Sequence, residues 1–339
     1  MNSNPQVACI ILNWNGWKDT IECLESVFRL SGCAFRVVVC DNASTDGSIE
    51  KIKEWARGEL PAVPASQELS RLNSLLLAKP IPYLELTRDQ AESRAAISDR
   101  QLILIQNGAN LGFAGGNNVG LRYALAGSNC QFFWLLNNDT VVEPDALSAL
   151  VRFMQQQPEV GLCGSLNLSY FNPKEVQAQG GKIYRPWTAR VRVAPRLTVE
   201  ELDAHPTPMD YVNGAAMLAS RAFLEKIGLM EESYFLYFEE LDWAMRAKGR
   251  FKLGYARESV IYHKEGSSIG SNADRLKRSL LSDKYLSRSR VLFTKRFLPW
   301  AIPSVMIWLS LAAAYRLCRG DVERAKALIL WSFKGLLLR

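Results

Sequence analysis

With 339 residues, 48% hydrophobic and 22% charged, the chain can bury a sizeable core and exceeds the usual size of one compact domain, so a large α/β unit with an appendage is expected. Seven cysteines, scattered at 9, 23, 33, 40, 130, 163 and 318 with no CxxC pair, argue against a disulfide framework and suit a reducing compartment. The net charge of +7 comes without an aromatic–basic nucleic-acid motif, and Val7 to Leu12 is too short and lacks the basic flank of a secretory signal, so neither nucleic acid nor export is expected.

In chain order the patterning predicts strand 6–12, helix 18–30, strand 35–40 and helix 46–56. A strand at 102–106, helix 116–126, strand 132–136 and helix 143–155 follow. The strands are continuous apolar runs, as in strands covered on both faces. Their alternation with helices predicts a mostly parallel central sheet between two helical layers. Residues 57–101 break the rhythm with Pro61, Pro64, Pro80, Pro82 and mixed charge, and are expected to form an irregular insertion holding a short helix. Two regions result, 1–272 and a basic, apolar, helical 273–339.

The apolar run Phe132 to Leu136 ends abruptly in Asn137-Asn138-Asp139-Thr140, and Val37 to Cys40 ends in Asp41-Asn42-Ala43-Ser44. In open α/β sheets ligands bind beyond the carboxyl ends of the strands. A carboxylate there suits a divalent cation bridged to phosphates, which suggests a nucleotide-diphosphate site. Between the two lies a segment with glycines at 112, 115, 116 and 120. These do not spell G-x-G-x-x-G or a P-loop, which disfavours a dehydrogenase. The segment either brings backbone amides to phosphates or a sugar, or marks a helix start needing positive φ.

Further on, the aromatic run Tyr234 to Phe238 leads into Glu239, Glu240 and Asp242. Aromatic walls raise a carboxyl pKa towards the range of a general base. On a helix Glu239 and Asp242 share a face, with Glu240 about 100° away. The alternative is an acidic helix start with Asp242 paired to Arg246. His263 follows a short strand; its imidazole could complete a cation's shell beside Asp139 or be a satisfied core residue. His205 lies in a proline-flanked loop without evident partners.

Between Asp274 and Arg296 stand eight basic residues, Arg275, Lys277 and Arg278 among them, against two aspartates, and residues 297–315 then carry no charge. About 20 apolar residues could cross a bilayer. Pro299 and Pro303 interrupt the first turns, and Arg316, Arg319, Arg324 and Lys326 follow, so a helix hairpin or interfacial segment at a membrane surface is expected rather than one clean crossing. The alternative is a core helix with a solvated basic face.

Several segments in order resemble family 2 of the inverting glycosyltransferases, of GT-A fold, and within it the rhamnosyltransferase-like members. They are Ile11 to Gly16, Asp41 to Gly47, Asn110 to Gly120, Leu135 to Thr140, Asn213 to Met217, Tyr237 to Asp242 and His263 to Ser268. The resemblance, over roughly residues 6 to 270, implies a Rossmann-like nucleotide-diphospho-sugar transferase fold; the C-terminal helical, membrane-associated appendage is expected from the basic and apolar residues that follow it. It implies that Asp41 binds the base or ribose, with Asn13, Asn15, Asn42 and Ser44 nearby, and that Asn110, Gly112, Gly115, Gly116, Asn117, Asn137 and Asn138 complete the nucleotide-sugar site. Asp139 would be the metal ligand of a DXD-like motif whose first acidic position is here the amide of Asn137, and His263 the distal ligand, for Mg²⁺ or Mn²⁺. Glu240 would be the catalytic base with Glu239 in reserve, and Asn213, Gly214, Ala215 and Asp242 would lie on the acceptor side. The implied reaction moves L-rhamnose from dTDP-rhamnose to a hydroxyl of a saccharide or lipid-linked saccharide in cell-surface polysaccharide synthesis, in the cytoplasm at the inner face of the membrane. A UDP-sugar donor, or an inactive membrane-associated scaffold of the same fold, are the alternatives.

Overall fold

The structure, a computed structural model, describes residues 6–63, 66–73, 77–93, 98–127, 129–192, 197–202, 208–265 and 279–338. His205, Gly266 to Ser268, Arg275, Lys277 and Arg278 lie outside the described residues.

The first half is β1 (Val7–Asn13), α1 (Trp17–Val27), β2 (Phe35–Asp41), α2 (Ser48–Arg57), β3 (Tyr83–Thr87), α3 (Arg88–Glu92), β4 (Leu102–Gln106), α4 (Gly112–Gly127), β5 (Phe132–Asn137), β6 (Thr140–Val142) and α5 (Ala146–Gln156). Next come β7 (Val160–Ser169), β8 (Glu175–Gln179) and five two-residue strands, β9 (Gly181–Lys182), β10 (Tyr184–Arg185), β11 (Arg190–Val191), β12 (Leu197–Thr198) and β13 (Tyr211–Val212). The chain continues through β14 (Ala216–Ser220), α6 (Arg221–Ile227), α7 (Glu239–Ala247) and β15 (Lys252–His263), then α8 (Leu280–Phe297), α9 (Ile302–Cys318) and α10 (Val322–Leu337).

The strands β3, β4, β2, β1 and β5 lie side by side and parallel, in that order. Beyond β5 the sheet becomes mixed, with β14 antiparallel to β5 and to β7, and β15 parallel to β7. Alternate residues of β1 and β2 face opposite layers: Cys9, Ile11 and Val39 pack against α1, α2 and α5, and Ile10, Val38 and Cys40 against α4, α6 and α7. The expected parallel sheet between two helical layers is thus present. Within the 57–101 insertion, β3 extends the parallel sheet by one edge strand, which was not expected. Its alternating Tyr83-Leu84-Glu85-Leu86-Thr87 follows two prolines and pairs on one side only.

Chain order places β2, β3 and β4 on one side of β1 and β5 on the other, so the order reverses between β1 and β5. Such a switch point opens a crevice at the carboxyl ends of the strands. The register sharpens it: Asn13 pairs with Asp41, Asp41 with Gln106 and Leu12 with Asn137, so neighbouring strands turn from apolar to polar at one level.

The three C-terminal helices pack on one another and on the sheet-bearing part of the chain. Val291, Phe293, Val305 and Leu309 share a core with Tyr184, Tyr211, Tyr234, Leu241 and Ala244. All seven cysteines are free thiols.

Candidate active site

At the end of β1 the Asn13 side chain is fully buried and fully used. Its amide donates to Asp41 Oδ1 at 2.6 Å and Ser44 Oγ at 3.1 Å, and its oxygen accepts from Thr20 Oγ1 at 2.8 Å and from Asn138 Nδ2 at 3.5 Å. Asp41 is further held by the Ser44 backbone N–H, 2.9 Å, and hydroxyl, 2.6 Å. Ser44 Oγ accepts from Asn15 N, and Asn15 Oδ1 accepts from Thr45 N. Asn15 and Ala43 hold φ of 50° and 56°, so the two strand ends are tied in a strained conformation. Thr20, which fixes both Asn13 and Asn138, carried no sequence signal, because it is a single threonine on a helix.

The Asn137-Asn138-Asp139 turn links β5 to β6. Strand β15 runs antiparallel to β6 with His263 opposite Thr140, so the last residue of β15 falls beside Asp139. His263 Nε2 lies 3.2 Å from Asp139 Oδ1, with the side chains 12% and 7% exposed. The other ring nitrogen, Nδ1, lies 3.2 Å from Gln177 Oε1, and Gln177 Nε2 donates to the His263 carbonyl at 3.0 Å. Gln177 therefore orients the imidazole, as partners of metal-binding histidines do. Lys264 follows, its ammonium between Asp19 at 2.5 Å and Glu22 at 2.6 Å, and its backbone N–H donates to the Asp139 carbonyl.

One carboxylate and one imidazole within contact fit Mg²⁺ or Mn²⁺, which take few protein ligands and complete their shell with substrate phosphates and water. Among the described residues no group of three or more His, Cys, Asp or Glu is clustered to hold a metal without such help.

Asp139, His263, Asn137 and Asn138 line a cleft together with Leu12, Trp14, Asn42, Asn110, Gly112, Phe113, Phe235, Leu236 and Leu281. Asn42 Nδ2 donates to the Gly112 carbonyl, 3.0 Å, and to Asn110 Oδ1, 3.3 Å, joining β2 to the start of α4. That helix begins at Gly112, four residues earlier than expected, and takes in the glycines. At Gly116 a Cβ would collide with Leu12 and Asn42, at Gly120 with Ile10 and Cys40, and at Gly115 with Leu111. Gly116 and Gly120 permit close helix–sheet packing, while Gly115 gives room to Leu111 just before the helix. Asn117 is buried and donates to the Phe113 carbonyl of its own helix.

The acidic segment enters α7 through a strained loop, with φ of 64° at Phe235, 68° at Tyr237 and 75° at Phe238. Non-glycine residues in such regions cost about 1–3 kcal/mol each and persist only where the surroundings enforce them. Here α8 enforces them. Arg288 donates to the carbonyls of Ser233 and Tyr234, Ser289 to that of Leu236, Ser282 bonds the Tyr237 hydroxyl, and Tyr285 stacks on Phe235 at 4.4 Å.

The loop delivers two carboxyls in different settings. Glu239 is 2% exposed, and its Oε2 has no hydrogen-bond partner among the described residues. Burial, reinforced by the Glu240 charge, pushes its pKa well above the ordinary carboxylate value. Glu240 is also raised, first by burial, while its backbone hydrogen bond and the Lys182 ammonium pull it back. The Glu240 carboxylate rests on Gly214, where a Cβ would collide with it. Asn213 Oδ1 accepts from Ala215 N, and the Ala215 carbonyl accepts from Asn137 N, so this segment joins the acidic loop to the end of β5. Asp242 is turned into the core, 0% exposed, against Tyr234 OH, Arg246 and Arg296.

Comparison with known proteins matches residues 8–63 and 85–228 to the family described as Glycosyl transferase family 2. The low-salt glycan biosynthesis hexosyltransferase Agl10 of Haloferax volcanii is 28% identical over 168 residues, 47% of this chain and half of that protein. The N-acetylglucosaminyl-diphospho-decaprenol L-rhamnosyltransferase of Mycobacterium tuberculosis is 25% identical over 227 residues, 59% of this chain and 72% of that protein. Among solved structures, a mannosyltransferase from Pyrobaculum calidifontis in complex with GDP-Man and Mn²⁺ superposes with a TM-score of 0.50 at 16% identity, covering 99% of this chain and 88% of that one. That likeness is one of fold, the GT-A arrangement.

Proposed function

The chain belongs to glycosyl transferase family 2, and from that premise we propose that it is a metal-dependent inverting glycosyltransferase acting from a nucleotide-diphosphate sugar. The observation that carries this reading is the contact of His263 with Asp139 at 3.2 Å, at the switch point where the strands turn polar. Asp139 and His263 would hold Mg²⁺ or Mn²⁺, which, when bound to the diphosphate, neutralises charge on the leaving nucleotide. Asn42, Asn110 and the backbone at Gly112 would hold the nucleotide-sugar in the cleft.

Glu240 is the proposed base. Its raised pKa brings it nearer the pH of proton transfer. It takes the proton of an acceptor hydroxyl, whose oxygen forms a bond to the anomeric carbon from the face opposite the nucleotide. The bond to the diphosphate breaks with its electron pair, and configuration inverts without a covalent enzyme intermediate. Glu239, held protonated beside it, would keep negative charge from accumulating on the pair.

The donor is proposed to be dTDP-L-rhamnose and the acceptor a lipid-linked saccharide, which the mycobacterial relative's described activity supports. On this proposal it would act at the inner face of the cell membrane, in cell-surface polysaccharide synthesis. Calorimetry of dTDP- and UDP-sugars, with and without Mn²⁺, tests the reading. Metal-dependent binding of dTDP-rhamnose is expected, with Glu240→Gln binding it equally but turning over roughly 10²–10⁴-fold more slowly. Binding of a UDP-sugar alone would replace the donor, and a Glu240→Gln variant with normal turnover would remove the base.

A further inference from the structure

The outer side of the C-terminal helical hairpin reverses the usual surface pattern. In α9 the stripe Val305, Leu309, Ala313 packs inward, as expected of a helix resting on α8 and α10. The opposite stripe should then be polar, yet it reads Ile307, Leu311 and Tyr315, which are 62%, 59% and 60% exposed. Only 22% of the apolar window of Pro299–Cys318 is buried, so this is no core helix. Helix α10 repeats the pattern with exposed Leu330 and Phe333. Contiguous exposed apolar surface of this kind marks a contact with another apolar phase.

The polar residues on the same outer surface are mostly basic. Lys326 and Lys334 are exposed on α10, and Arg319 is exposed at the turn between the helices, with Glu323 the exposed acid. Where the chain enters α9, Trp300 packs edge-on against Trp187 at 4.7 Å, both more than half exposed, and Arg190 lies over the Trp308 ring. Indole rings and Lys or Arg bordering an apolar band are the composition of a surface that sits at a lipid headgroup layer.

The geometry points to a docking surface for an anionic lipid bilayer, formed by the outer faces of α9 and α10 and bordered by Trp187 and Trp300. It rests on the membrane-side location proposed above. The helices lie in the interface and do not span it. Crossing would drag α8, which carries Lys284, Arg288, Arg290, Lys295 and Arg296, and the lysines of α10 into hydrocarbon, because α9 packs along both helices. An interfacial helix instead buries its apolar face at the headgroup boundary while its basic residues meet lipid phosphates. The docked surface belongs to the same helical unit that contributes Leu281 to the cleft.

Flotation of the full chain with phosphatidylcholine vesicles, with and without phosphatidylglycerol, tests the assignment, and needs neither donor nor acceptor. Binding is expected to the anionic vesicles, to weaken as salt rises, and to be released by alkaline carbonate. Ile307→Gln with Leu311→Gln should reduce it tenfold or more, while thermal unfolding and nucleotide-sugar binding stay unchanged, since both side chains are exposed. Lys326→Ser with Lys334→Ser should abolish the preference for phosphatidylglycerol. Equal flotation of the Ile307/Leu311 variant, a stable dimer that buries this face in place of vesicle binding, or retention in the carbonate pellet would each overturn the assignment. Normal donor binding beside failed flotation would remove the docking surface and leave the proposed reaction standing.

Discussion

Glu239 is a carboxyl with one oxygen unpartnered among the described residues and almost no exposure, beside a second carboxyl. A buried carboxyl without a cation is stable only when protonated. Because its folded pKa lies above its unfolded value near 4.5, it contributes stability that is full below that value and is lost as pH rises through the folded pKa. Glu239→Gln keeps the shape and removes this dependence. Relative to wild type it should gain stability steadily as pH rises above about 5, read by urea denaturation at a series of pH values. A variant whose advantage is the same at every pH would show that Glu239 stays ionised.

Gln177 makes the complementary case for His263, because it holds the imidazole from behind. Gln177→Leu should weaken Mn²⁺ binding by roughly 10–100-fold, the usual effect of removing such a partner. Metal-free nucleotide binding should be unaffected, and titration calorimetry separates the two. Asp139 and His263 stood out in the sequence because each follows an apolar run, Asp139 in the turn after β5 and His263 at the end of β15. Gln177 was not, since its contact spans 86 residues from a short strand with no pattern of its own.

Among the elements, α8 is the one whose role its sequence concealed. Its basic residues suggested a charged surface, yet Arg288 spends two donors on the carbonyls of the strained loop before α7. Removing a hydrogen bond from a charged donor costs roughly 1.5–3 kcal/mol, more than a tenfold change in the occupancy of the loop conformation. Arg288→Ala should therefore lower turnover by about tenfold or more, and because Phe235 and Leu236 of the same loop line the cleft, donor binding should weaken as well; steady-state kinetics beside calorimetry reads both. The early start of α4 has a related cause. Glycines suggest a loop from sequence alone, but Gly116 and Gly120 are needed inside the helix, where any Cβ would strike β1 or β2. Side-chain periodicity reveals a helix face but not how closely that face approaches a sheet.

For the whole molecule, the division at residue 272 follows a real change of composition but not a division of the core. Phe293, Val305 and Leu309 of the C-terminal helices pack with Tyr234, Leu241 and Ala244 of the catalytic half, and Arg296 caps the buried Asp242. A unit that could fold alone would keep its apolar contacts to itself. The two parts are therefore proposed to unfold together, in one calorimetric transition. Each kcal/mol lost lowers the midpoint by roughly 2–4 °C in chains somewhat smaller than this one. Removing residues 279–339 would uncover several large side chains, each worth a few kcal/mol when buried, and would release the strained loop. The truncated chain should melt about 10 °C or more below the full one and show no turnover even toward a soluble acceptor. Two separate transitions, or a truncated chain that melts and turns over like the full one, would restore the C-terminal helices to the status of an appendage.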